Sequence, residues 1–184
     1  MRPVNLEQLH ALPPADQRTF LLGRIAAETT KMDAALRFVH AVLRGQHELD
    51  AYLDAPDYVS SNVKACRKLL AEHSELNEET REAVRRTLTA VSKAYAQRNR
   101  FTHDFLRANL LDKTWELARL SRPSADEPEV LTVSSEDMIR LVCEIVAATW
   151  RLRGAARNIL RGTWSGMTLG EVEGDWDGSA SYVH

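Results

Sequence analysis

Apolar residues recur at spacings of three and four over four stretches of the chain, the mark of helices that each bury one face. The first stretch, opened by Asp16 as N-cap and stopped by Gly45, carries Leu21/Leu22, Ile25, Thr29, Met32, Leu36, Val39 and Leu43. The second follows the turn Asp54-Ala55-Pro56-Asp57, spans about residues 58–73, and carries Val59, Val63, Cys66 and Leu70. Asn77 caps the third, where Glu78 and Glu79 suit the positive end of the helix dipole. Its stripe runs through Val84, Leu88, Val91, Tyr95, Thr102 and Phe105, which predicts a helix ending near residues 107–109. Ser134 or Ser135 caps the fourth, whose stripe is Met138, Leu141/Val142, Ile145, Thr149, Leu152, Ala156 and Ile159/Leu160, with Gly162 as its stop. Residues 1–14 form a leader with at most one helical turn, closed by Pro13-Pro14.

Between the third and fourth helices the period changes. Residues 114–120 and 130–133 read as two short strands, joined by a loop at 121–129 that holds Pro123 and Pro128. The expected fold is all-α, an antiparallel helical bundle with a small β-hairpin inserted between its last two helices. Residues 1–162 make up the helical domain, and 163–184 form a flexible acidic tail rich in Gly and Ser.

Composition narrows the class without naming a function. With 44% hydrophobic and 27% charged residues over 184 positions, the chain has the make-up of one globular domain. No apolar run approaches the roughly 20 residues that span a bilayer, and the first residues lack the apolar core of a secretory signal, so a cytoplasmic protein is expected. Cys66 and Cys143 lie far apart on different helices, and Cys66 fits a core stripe. There is no C-x-x-C, the histidines are scattered, and Glu7 to His10 gives a single E-x-x-H. Neither a metal site nor a cofactor is expected. His40 and His47 read as surface or hydrogen-bonded histidines.

Charge is more telling in its distribution than in its total of −2. From Arg81 to Arg107 the basic residues Arg81, Arg85, Arg86, Lys93, Arg98, Arg100 and Arg107 face only Glu82 and Asp104. Arg151, Arg153, Arg157 and Arg161 follow with no acid among them, whereas Glu171, Glu173, Asp175 and Asp177 stand without a base. Local basic excess of this kind suits a polyanion. Arg153, Arg157 and Arg161 also suit the negative end of the last helix's dipole. An acidic tail tethered beside a basic helix would compete with phosphates there.

One position breaks the third stripe. At about 100° per residue, and with Val84 as zero, Arg98 falls at roughly −40°, inside the apolar seam. A buried unpaired charge costs several kcal/mol, and a local rule that fails on an otherwise consistent helix marks a functional position. Glu28, at the edge of the first stripe, is expected to be exposed or hydrated, with the alternative of facing Arg98 as its counter-charge. Asn99 and His103 lie one turn apart on the flank of the seam. Histidine exchanges protons near neutrality, and arginine offers phosphate a fixed planar fork. Asn99 can orient either through its amide. On one helix, Arg98 and His103 diverge by roughly 140°, so a single copy does not compose a site.

Arg98-Asn99-Arg100-Phe101-Thr102-His103 reads R-N-x-x-x-H, and this resembles the signature of the HEPN superfamily (higher eukaryotes and prokaryotes nucleotide-binding). The resemblance covers about six residues, and elsewhere the agreement is architectural. It implies an HEPN-like helical bundle and a homodimer whose cleft joins the Arg and His of both subunits. The activity it implies is that of a metal-independent endoribonuclease, a toxin or defence effector with a separately encoded antitoxin. Arg98, Asn99 and His103 become the candidate catalytic residues, and Arg81, Arg85, Arg100 and Arg107 the candidate RNA-binding ones. In toxins whose motif continues to H-x-Y, the tyrosine is a target for adenylylation; here that position is Phe105. The alternative is a non-catalytic helical module for dimerisation, regulation or RNA binding that keeps the motif for structural reasons.

Overall fold

The structure, a computed structural model, describes residues 6–45, 52–103, 105–109, 114–118 and 130–160. For Leu6, His103, residues 105–109 and 114–118, and Val130, the description is of the backbone only. The elements are α1 (Leu6–His10), α2 (Pro14–Leu43), α3 (Val59–Glu72), α4 (Glu78–His103), β1 (Phe105–Asn109), β2 (Thr114–Ala118), β3 (Val130–Val133) and α5 (Ser135–Leu160). The described chain is mostly helical.

α2 is the central helix and packs against α3, α4 and α5, most broadly against α5. Its predicted stripe is buried from end to end: Ile25, Met32, Leu36 and Val39 are fully shielded. Ala35, Ala41 and Val42 are buried as well, so the helix is covered on more than one side. The helix starts three residues earlier than Asp16 as N-cap would set it. Pro13 occupies the cap position and Pro14 the first turn, where proline's fixed φ fits and its missing N–H costs nothing. Gly45, at φ 68°, ends the run. Arg37 fastens the start of α3 to α2, donating to the backbone oxygens of Ala55 at 3.2 Å and Asp57 at 3.3 Å. Val59, Val63, Cys66 and Leu70 then enter the core as their spacing predicts.

Asn77 caps α4 by accepting from the Thr80 N–H at 2.8 Å. Asn77→Ala should cost about 1 kcal/mol, read as a lower urea midpoint with an unchanged slope. At the start of α5, Ser134 and Asp137 form a reciprocal box. The Ser134 N–H donates to the Asp137 carboxylate at 2.8 Å, and the Asp137 N–H to the Ser134 hydroxyl at 3.2 Å. The Ser134 N–H, together with the Ser134 hydroxyl and Arg140, outweighs partial burial and holds the Asp137 pKa below its ordinary value.

Helix directions correct the antiparallel expectation for one pair. The Ser135 hydroxyl donates to the Gln17 side-chain oxygen at 3.0 Å. The starts of α2 and α5 are therefore side by side, and these two helices run in the same direction. α4 ends beside the beginning of α5, where Phe101 and Leu141 line one cleft, and so runs opposite to it. The sheet between α4 and α5 is antiparallel, in the order β1-β2-β3. Phe105 pairs with Ala118 and Asn109 with Thr114, and Trp115 pairs with Val133. It has one strand more than the sequence suggests, because α4 stops at His103 and Phe105–Asn109 pairs with β2 instead of continuing the helix. The connecting segment at 119–129, His47, and the tail at 163–184 lie outside the described residues.

His73 ties the ends of α2 and α3 together, its ring nitrogens meeting the Leu43 carbonyl and the Glu75 carboxylate. Burial disfavours the cation, but the Leu43 carbonyl and Glu75, with Glu72 nearby, outweigh it and raise the His73 pKa. A raised folded pKa stabilises fully below the unfolded value, about 6.5 for His. That stability is lost as pH rises through the folded value. The melting temperature of the parent should therefore exceed that of His73→Gln most in mildly acidic buffer, and the gap should narrow on going alkaline. A gap independent of pH would refute the linkage. Buried His40 has the opposite sign, because burial and then Arg44 lower its pKa, but its contribution cancels in this difference.

Candidate functional site

The motif occupies the last turns of α4. No acid occurs in the sequence between Glu82 and Asp104, so this part of the helix is electropositive. Val84, Leu88, Val91 and Ala94 are buried along it, and Arg98 continues the same face, half-buried. Its Nη1 donates to the Asn99 side-chain oxygen at 3.1 Å, and its guanidinium carbon stands 5.7 Å from the centre of the Tyr95 ring. Arg98 Nε is buried and has no hydrogen-bond partner. A buried donor left unpaired costs about 1–3 kcal/mol, so the fork is held on two sides and incompletely satisfied. Such an arrangement favours an added oxyanion.

Glu28 is not exposed, and its counter-charges come from its own helix and not from Arg98. At 4% exposure it accepts from Arg24 at 3.2 Å and Lys31 at 2.8 Å, both on its own helix. The i,i+4 and i,i+3 spacings place these counter-charges beside it, and Arg24 is itself only 6% exposed. Thr102 does not enter the core either. It is exposed, with its hydroxyl donating to the Arg98 carbonyl at 3.1 Å, and Phe101 packs against the core in the last turn. The seam is thus carried to the helix end by Arg98 and Phe101.

His103 is the last residue of α4, one turn beyond Asn99, and its side chain lies outside the described residues. Because α4 is helical through this position, the backbone directions at 98 and 103 differ by about 140°. Arg98 and Asn99 are brought together within one chain, whereas the helical backbone places positions 98 and 103 on different sides of α4. Arg100 lies half-buried beside the motif. Arg107 falls in β1 opposite Glu116, its side chain outside the described residues. Arg81 and Arg85 are 17 and 13 residues before Arg98 on the same helix, about 25 and 20 Å away at 1.5 Å per residue. Both are paired with Glu78 at 2.8 Å.

Beside the motif a cleft of about 320 Å³ opens between the end of α4, β3 and the start of α5. Gln97, Arg100 and Phe101 form one wall, Leu131 and Thr132 another, and Asp137, Arg140 and Glu144 the third. Arg100 stands across it from Asp137 and Glu144, and Arg140 pairs with Asp137 on the α5 wall. Of the residues lining this cleft only Arg100 was a site candidate in the sequence. Gln97 and Phe101 carry no motif, and the α5 residues join the cleft because the sheet turns the chain back beside α4. Tyr95 was legible as a seam residue; its i,i+3 spacing to Arg98 is the signal for the ring contact.

His40 is 5% exposed with its Nδ1 unpartnered, rather than on the surface or satisfied. Cys66 is a core residue, its thiol pushed up by burial to about 12. Among the described residues no group of three His, Cys, Asp or Glu is placed to hold a metal ion, and no helix is long and apolar enough to cross a membrane. No family model, curated protein or solved structure matches the chain.

Proposed function

We propose that the chain is a metal-independent endoribonuclease of HEPN type whose site forms at a homodimer cleft. The observation that carries this reading is Arg98. Its guanidinium is half-buried on the core-facing seam, oriented by Asn99 and Tyr95, and holds a buried Nε without a partner. The motif histidine closes the same helix. In the proposed reaction His103 of one copy takes the 2′-hydroxyl proton as that oxygen attacks the adjacent phosphorus. The bond to the 5′-oxygen breaks, and a protonated second His103 supplies the leaving group's proton. Arg98 stabilises the charge on the phosphorane, and Asn99 keeps the guanidinium in place. The products are a 2′,3′-cyclic phosphate and a free 5′-hydroxyl. Two copies are required because the backbone directions at 98 and 103 diverge.

The test is incubation of purified protein with single-stranded RNA in excess chelator, with a 2′-O-methyl RNA as the control that cannot be cleaved by this route. Cyclic-phosphate ends on the first RNA and none on the second are expected. An intact RNA after binding, or a monomer by light scattering, would count against the reading. A second reading, a non-catalytic helical dimerisation or RNA-binding module, is favoured by one specific feature. The Asn99 and Tyr95 contacts already give Arg98 a structural role within one chain.

A further inference from the structure

The outer face of α5 toward its C-terminal end is open and unlike the rest of the helix surface. Trp150 is 55% exposed, and Arg153 stacks its guanidinium on the indole, with Cζ 5.4 Å from the ring centre. Arg153 and Arg157 are exposed and, spaced by four, share one side of the helix. Next to Trp150, one turn on, Gly154 leaves a gap, since nothing lies within 4 Å of where a Cβ would stand. No acid occurs in the sequence from 145 to 170. Compensation of the helix dipole, which acts within the last turn, accounts for Arg157. It does not account for Arg153 or for an exposed indole two to three turns from the helix end.

A surface with this chemistry takes an anionic segment that also carries an aromatic ring. The chain contains one: Glu171, Glu173, Asp175, Trp176 and Asp177, with no base among them. We infer that residues 171–177 dock on the Trp150–Arg153–Arg157 face of the same chain. The carboxylates meet the two arginines, and Trp176 covers the gap at Gly154 beside Trp150. The chain length permits it. Residues 161–170 reach up to about 33 Å when extended, whereas α5 rises about 15 Å from Trp150 to Leu160. A tether of that length gives a high local concentration of acid at the face. The docked segment excludes other polyanions from this side of the protein, and the inference does not require RNA cleavage.

The test uses the full chain with Cys143→Ser and Gly178→Cys, a nitroxide attached at position 178, and amide and indole signals followed by NMR. Cys66 is buried, with its thiol pushed up to about 12, and escapes labelling. Docking predicts selective loss of the Trp150 indole signal and the amide signals at 153–157 in low salt. The signals should return at about 1 M salt, where the Debye length is about 3 Å. They should also return when Glu171→Gln, Glu173→Gln, Asp175→Asn and Asp177→Asn are combined. Broadening spread evenly over the surface, or insensitive to those four changes, overturns the inference. So does broadening that appears between a labelled chain and a separate isotope-enriched chain, because the segment would then occupy a second copy.

Discussion

His103→Ala removes both proton-transfer groups of the proposed cleft and should lower RNA cleavage by at least about 10²–10⁴-fold, the range for loss of a single acid–base group, with melting temperature and dimer mass unchanged. Arg98→Ala should fall at least as far, since it removes the only fixed charge proposed for the phosphorane. Arg98→Lys separates charge from geometry. An ammonium keeps the attraction to phosphate, but it lacks the planar fork that Asn99 and Tyr95 hold, so partial activity is expected. Mixing the Arg98→Ala and His103→Ala proteins adds a test of the shared cleft. Subunit exchange brings one arginine and one histidine to a common site, still short of the second histidine, and cleavage should rise above that of either protein alone while staying well below the parent. If His103→Ala cleaves as fast as the parent, the catalytic reading is wrong. If Arg98→Ala instead loses dimer mass, the motif serves assembly.

The helices were legible because their stripes are long and their caps chemically explicit. Asn77 caps its helix as read, Ser134 is the one of the two serine candidates that caps the last, and Cys66 enters the core three residues after Val63 and four before Leu70. Arg98 was legible as a misplaced charge for the same reason, as a break in an otherwise regular seam. The third strand was not legible. Phe105 fits both the helical period and the alternation of a strand, and only pairing with β2 across the sheet decides between them. The parallel course of α2 and α5 depends on the path of the chain through that sheet, which no local pattern encodes. The burial of Arg24 and Glu28 was hidden for another reason. Two opposite charges at i and i+4 read as a solvated helix face, yet together they can be covered by the helices packed around α2.

That buried pair carries the largest stability effect expected in the protein. Glu28 accepts from Arg24 at 3.2 Å and from Lys31 at 2.8 and 2.9 Å. With Glu28 and Arg24 only 4% and 6% exposed, neither can regain water if the other is removed. Glu28→Ala leaves the Arg24 guanidinium buried without its carboxylate, and breaking a buried pair in this way costs about 3–5 kcal/mol. At roughly 2–4 °C per kcal/mol for a chain of this size, the melting temperature should fall by about 6–20 °C. Lys31→Met should cost about 0–1 kcal/mol, because Lys31 is 44% exposed and its ammonium stays hydrated. Replacing both buried charges, Arg24→Met with Glu28→Leu, removes the desolvation cost along with the attraction and should be less damaging than Glu28→Ala alone. The ranking is the test: Glu28→Ala lowest, the double variant between it and the parent or above, and Lys31→Met near the parent. Urea unfolding in which Glu28→Ala and the parent share a midpoint would show that the carboxylate adds nothing to the stability of the bundle.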